Sequence, residues 1–193
     1  WLAGINIKYF IYSSLILVIS LPFVISFLKP YQKLRILTFF DPDKDPLGAG
    51  YQIIQSKIAV GSGGLYGKGF LKGTQSYLEF LPEKHTDFIF TLYSEEYGFL
   101  GSIFLLLIYA IIIFRILRIG MISRSFFAKI FCFGFASAIF IYISVNMSMV
   151  LGLVPIVGSP LPIMSYGGSS MLATMIGFSV VMSCKLYNRQ LIS

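Results

Sequence analysis

The chain has 193 residues, 56% of them hydrophobic and only 12% charged, with 19 Phe and a formal net charge of +7. Soluble domains carry roughly 25% charged residues, so this composition excludes an ordinary soluble enzyme and predicts an all-α integral membrane protein. No stretch interleaves aromatic and basic residues on a soluble surface, so nucleic acid is not an expected partner, whereas membrane lipids are.

The opening residues from Trp1 lack a charged segment, short apolar core and small-residue cleavage site, so no signal peptide is expected and the chain reads as part of a longer protein. Tyr9 to Leu28 are twenty residues without a charge, the length that spans a hydrocarbon core. Pro22 falls inside that run and is tolerable in a membrane helix, where neighbours satisfy the freed carbonyl.

From Lys29 to Glu96 the composition turns polar, and the block contains all eight carboxylates. Asp41 to Gly48 has the look of a calcium loop, but Pro46 and Gln52 stand where an EF-hand needs Gly and Glu, so turns are expected instead. Gln52 to Val60 suits a short amphipathic helix at the membrane surface. The run Gly61-Ser-Gly-Gly-Leu-Tyr-Gly-Lys-Gly69 fails the Walker spacing, because Ser62 and Gly69 are the wrong residues. It fits either a backbone nest for an anion, with Lys68 and Lys72 beside it, or a flexible turn.

Glu79 to Glu96 holds the single histidine and five of the eight acids. Pro82 ends what precedes it, and Thr86 or Asp87 is placed to cap a helix that enters the membrane. The charge-free part of that helix is Tyr97 to Phe114, and Arg115, Arg118, Arg124 and Lys129 are expected in a short loop after it. Ile130 to Cys184 are fifty-five residues without a charge, enough for two spans around a break rich in Gly and Pro from Gly152 to Gly168. Irregular backbone at membrane depth must meet protein or a watery cavity, so this loop is expected to line something. Cys132 and Cys184 sit in apolar runs and read as small hydrophobes.

The expected architecture is therefore about four membrane helices, near residues 9–28, 90–114, 130–153 and 169–186, with a large loop over 29–89 and a Pro/Gly-rich loop on the same side. Outside the polar block the chain has seven basic residues and no acid. The positive-inside rule makes their face cytoplasmic and both large loops external.

An acid at the outer mouth of such a bundle suits a lipid-linked substrate that carries its own energy, such as a lipid diphosphate sugar. Attack by a sugar hydroxyl needs a carboxylate to accept its proton, and the leaving diphosphate needs cations. Asp87 fits the first role, since a helix N-terminus favours its ionised form. Lys68 and Lys72, alone or with a magnesium ion, fit the second. Asp87 reads equally well as a simple helix cap, Glu79 and Glu83 as solvated or paired to lysines, and His85 as a hydrogen-bonding partner. No metal site is defined.

Asp45-Pro-Leu-Gly-Ala-Gly-Tyr-Gln52, the glycine run from Gly61, Leu78-Glu-Phe-Leu-Pro-Glu-Lys-His-Thr-Asp-Phe-Ile-Phe90 and Pro160-Leu-Pro-Ile-Met-Ser-Tyr-Gly-Gly-Ser-Ser170 together resemble the RodA/FtsW family of shape, elongation, division and sporulation proteins. Gly73-Thr-Gln-Ser76 resembles the RodA branch, and the chain resembles the C-terminal half of such a protein. The resemblance implies a peptidoglycan glycosyltransferase that polymerises lipid II at the outer face of the bacterial cytoplasmic membrane, working with a class B penicillin-binding transpeptidase. It implies that the essential acid is Asp87, with Glu79 as a second sensitive acid and Lys68, Lys72 and His85 toward the substrate. A transporter of lipid-linked precursors and a non-catalytic scaffold for the transpeptidase are the alternative readings.

Overall fold

The computed structural model describes residues 7–41, 48–73 and 85–187; at residues 10, 21, 22, 24–26 and 49 the description is of backbone only. All regular structure among these residues is helical: α1 Ile7–Phe27, α2 Pro30–Phe40, α3 Ala49–Ser62, α4 Ile89–Ile122, α5 Phe126–Val150 and α6 Gly168–Leu186. Three of these, α4, α5 and α6, are long and apolar enough to cross a membrane. The fourth expected span corresponds to α1, a 21-residue helix that continues through Pro22.

The core lies where α4, α5 and α6 meet. On α5, Ala128, Cys132, Ala136, Ile139 and Ile143 recur at helical spacing and are buried, while Phe140 and Ile141 between them face outward. Small residues on this stripe let backbones approach, as membrane helices require in the absence of a hydrophobic drive between them. Across it stand Tyr109, Ile116 and Gly120 of α4. On the other flank Phe135 meets Phe178 of α6 edge to face, at 5.3 Å between ring centroids. Cys132 and Cys184 are unbridged.

Arg115 and Arg118 sit on the last turns of α4, and only Ser123 to Ser125 separate α4 from α5, so the expected cationic loop is three residues long. The helix continues because Arg is a good helix former and its stem covers apolar surface while the charge reaches water.

The polar block holds more helix than its composition suggests. α3 has the expected amphipathic character over a longer range, and its buried stripe Ile53, Ser56 and Ala59 packs onto α4 and α5. α2 was not anticipated; it packs on α3. The calcium-like stretch at 42–47 lies outside the described residues.

Candidate functional site: a broken helix and a stitched turn

α4 is not continuous. Gly98 has φ 68° and ψ −162°, and the chain resumes its helix at the next residue. A break of this kind strands backbone groups that lipid cannot satisfy. In an unbroken helix Phe99 N–H would donate to Glu95 O, and Leu100 N–H to Glu96 O. Here Phe99 N–H donates to Gly64 O at 2.9 Å and Leu100 N–H to Leu65 O at 3.1 Å. The two carbonyls so released accept from Lys68 N–H and Gly69 N–H, each at 3.0 Å. The glycine run is thus a clamp around the helix break: two helical bonds are exchanged for four bonds between the glycine run and α4.

That clamp explains the glycines and corrects the anion-nest reading, since the amides of Lys68 and Gly69 are already donated to α4. Gly67, at φ 80°, lies against the backbone of Glu96 and Gly98, where a Cβ would collide with the Glu96 carbonyl. The side chains reinforce the same contact. Lys68 Nζ lies 2.7 Å from Glu95 Oε1, and the Glu95 side chain has no solvent exposure. Leu71 N–H donates to Glu96 Oε1 at 3.2 Å.

Asp87 lies in the turn 85–88 just before α4. The residue at the helix N-cap is Phe88, with no side-chain cap bond, so neither Thr86 nor Asp87 occupies the capping position. The turn is held instead by the loop between α5 and α6. Asn146 is fully buried on α5 and its Nδ2 donates twice, to Asp87 O at 2.8 Å and to Ser159 O at 2.7 Å. Two carbonyl acceptors identify that atom as the amide nitrogen. Ser165 Oγ donates to Thr86 O at 2.6 Å and accepts from Leu161 N–H at 2.7 Å. Tyr166 N–H donates to His85 O at 2.9 Å. The Asp87 carboxylate faces Gly158: a Cβ built there would lie 3.2 Å from Oδ2.

The loop over 151–167 does line something, as its apolar, irregular character requires. Its carbonyls are met by Tyr109 OH on Pro162 O at 2.6 Å and by Arg35 on Ile156 O at 3.0 Å. Ser56 Oγ donates to Val150 O at the end of α5, at 2.9 Å. Beyond the turn opens a largely apolar cleft of about 620 Å³, walled by His85, Ile89, Met164, Tyr166 and Met171, with Gly167 and Gly168 at the start of α6.

Of the residues singled out from sequence, the structure brings His85 and Asp87 into one turn beside this cleft, and places Lys68 and Lys72 in the clamp, with Lys72 exposed and Lys68 on Glu95. Glu79 and Glu83 lie outside the described residues. Glu95 and Asn146 were not singled out as site residues. Asn146 is a polar side chain in a run otherwise fit for lipid, and such groups nearly always carry a partner, whereas Glu95 stands beside Glu96 at the edge of the polar block. Among the described residues no three His, Cys, Asp or Glu side chains converge on a metal position. A magnesium ion here would rest on the Asp87 carboxylate and on substrate phosphates, the usual arrangement for that ion.

The fold and site define a polytopic helical membrane protein with a carboxylate at one end of its bundle, facing an apolar loop. A family model described as cell cycle protein, covering FtsW, RodA and SpoVE, matches residues 1–190. The chain belongs to that family. It is 51% identical to the peptidoglycan glycosyltransferase MrdB of Escherichia coli K12 over 161 residues, 83% of this chain and 44% of MrdB. It is 38% identical to stage V sporulation protein E of Bacillus subtilis over 190 residues, 98% of this chain and 51% of that protein. Among solved structures it resembles a chain of a peptidoglycan synthase complex that coordinates polymerisation and crosslinking, with TM-score 0.76 and 30% identity over 95% of this chain and 50% of that one. A mutant of Thermus thermophilus RodA matches with TM-score 0.53 and 32% identity over 67% of this chain and 39% of that one. The chain spans about half the length of the curated relatives it matches.

Proposed function

We propose that the protein to which this chain belongs is a peptidoglycan glycosyltransferase of cell elongation, polymerising lipid II at the outer face of the bacterial cytoplasmic membrane. The observation that carries the reading is the turn at Asp87, fixed by Asn146 and Ser165 beside an apolar cleft. These bonds fix the backbone that carries the carboxylate, and positioning is the larger part of what a glycosyl transfer between two lipid-linked sugars needs.

In this mechanism Asp87 accepts the proton of the attacking sugar hydroxyl. The oxygen bonds to the anomeric carbon as the bond from that carbon to the diphosphate breaks, and the diphosphate leaves with the electron pair on its lipid carrier. The apolar cleft suits the lipid tail. The start of α6 opens into the same cleft, and its free amides favour negative charge. Lys72 serves the diphosphate. Lys68 stands in the same loop, paired with Glu95 at 2.7 Å. His85 contributes a hydrogen bond to the substrate, and Glu79 assists Asp87 through position or charge. Relatives that are named peptidoglycan glycosyltransferases support the activity, and the likeness to a synthase complex supports a transpeptidase partner of class B.

The test is glycan synthesis from purified lipid II by the full-length protein with its transpeptidase. Lys72→Gln is expected to weaken lipid II binding several-fold and flatten its salt dependence. Unchanged binding would remove Lys72 from the substrate site.

A further inference from the structure

At the end of the bundle away from Asp87, a groove of about 690 Å³ lies between α4 and α6. One wall is a single stripe of α4: Leu107, Ile111, Arg115 and Arg118 follow the three- and four-residue spacing that shares a helix face. The stripe is apolar for its first turn and then cationic. Lys185 from the last turn of α6 and Ser123 at the end of α4 close the same end. From Leu107 to Arg118 the wall runs about 16 Å along the helix axis, a length on the scale of an acyl chain.

Among the described residues no carboxylate is placed to balance these cations. All eight acids precede Gly98 in the sequence, and α4 carries Arg115 about 25 Å beyond that break. Three positive charges converge where an apolar wall ends, so the complement is an amphiphile with an anionic head. Basic pockets between membrane helices recognise lipid head groups by this pairing.

We propose that this groove binds an anionic phospholipid, with the phosphate among Arg115, Arg118 and Lys185 and an acyl chain along Leu107 and Ile111. The site is independent of the glycan chemistry and lies in the opposite leaflet from Asp87.

The experiment is native mass spectrometry of the full-length protein released from detergent with phosphatidylglycerol or phosphatidylethanolamine of matched chains. The parent protein is expected to retain phosphatidylglycerol preferentially. Arg115→Gln/Arg118→Gln/Lys185→Gln is expected to lose that preference by about a hundredfold, at roughly fivefold per cation. Lys129→Gln, outside the groove, should keep it, as should the charge-preserving Arg115→Lys/Arg118→Lys, which guards against a folding defect. Equal retention of the two lipids by the parent, no retention of either because other helices of the full-length protein fill the groove, or undiminished selectivity in the triple variant would each overturn the proposal.

Discussion

Lys68 and Glu95 form an ion pair in which the carboxylate is wholly buried and the ammonium is partly exposed, at 2.7 Å. The pair spans the joint where the glycine clamp holds broken α4, so it reports on whether that joint is intact. Removing one partner of a buried pair leaves the other charge stranded, which costs about 3–5 kcal/mol, whereas replacing both by apolar groups is often nearly neutral. Because Lys68 is partly solvated, the lower end of that range is expected for Glu95→Leu, and the larger loss for Lys68→Met, which removes the cation beside the wholly buried Glu95. Glu95→Leu/Lys68→Met should recover much of the loss. Thermal unfolding of the four proteins of the cycle, in detergent, measures this; additive losses would show that the pair does not couple the clamp to α4.

Asn146 is expected to matter through its two N–H groups. Asn146→Asp keeps the shape but presents oxygen to the carbonyls of Asp87 and Ser159, and Asn146→Leu leaves both unsatisfied. Each stranded carbonyl costs about 1–3 kcal/mol. If Asn146 positions Asp87, kcat for glycan synthesis should fall at least tenfold in either variant at matched folded protein, with a smaller change in KM. A variant that folds and polymerises at the parent rate would reduce Asn146 to a packing residue.

The arrangement of charges predicts sidedness. Single cysteines at Tyr66 and at Ser125, both exposed, in a background with Cys132 and Cys184 replaced by Ala, should label oppositely with a membrane-impermeant thiol reagent applied to intact cells. Tyr66→Cys is expected to react and Ser125→Cys to stay protected. The reverse pattern would invert the proposed topology and put Asp87 on the cytoplasmic side.

The membrane helices were legible because twenty apolar residues in a row have few other uses, and α6 begins within one residue of its expected start. The break at Gly98 was not, since a glycine in an apolar run looks like any close-packing glycine of a membrane helix; its meaning lies in φ and in a partner more than thirty residues upstream. For the same reason the glycine run read as an anion nest or a turn: its amides answer carbonyls that only the fold brings near. Asp87 was readable as an acid at a helix entrance, but setting aside its role as a cap needed the observation that Phe88 holds the N-cap. Asn146, a lone amide in fifty-five uncharged residues, was the available hint that α5 carries something besides packing.

The central claim is that Asp87 is the proton acceptor in glycan polymerisation, and Asp87→Asn tests it most directly. The substitution keeps the side-chain volume, and Asn146 bonds the Asp87 backbone carbonyl rather than its carboxylate, so that support survives. We predict that full-length Asp87→Asn, folded and expressed like the parent, makes glycan from lipid II at a rate lower by about 10²–10⁴-fold, with lipid II binding little changed. Polymerisation at close to the parent rate would contradict the assignment and leave the turn at Asp87 a structural joint.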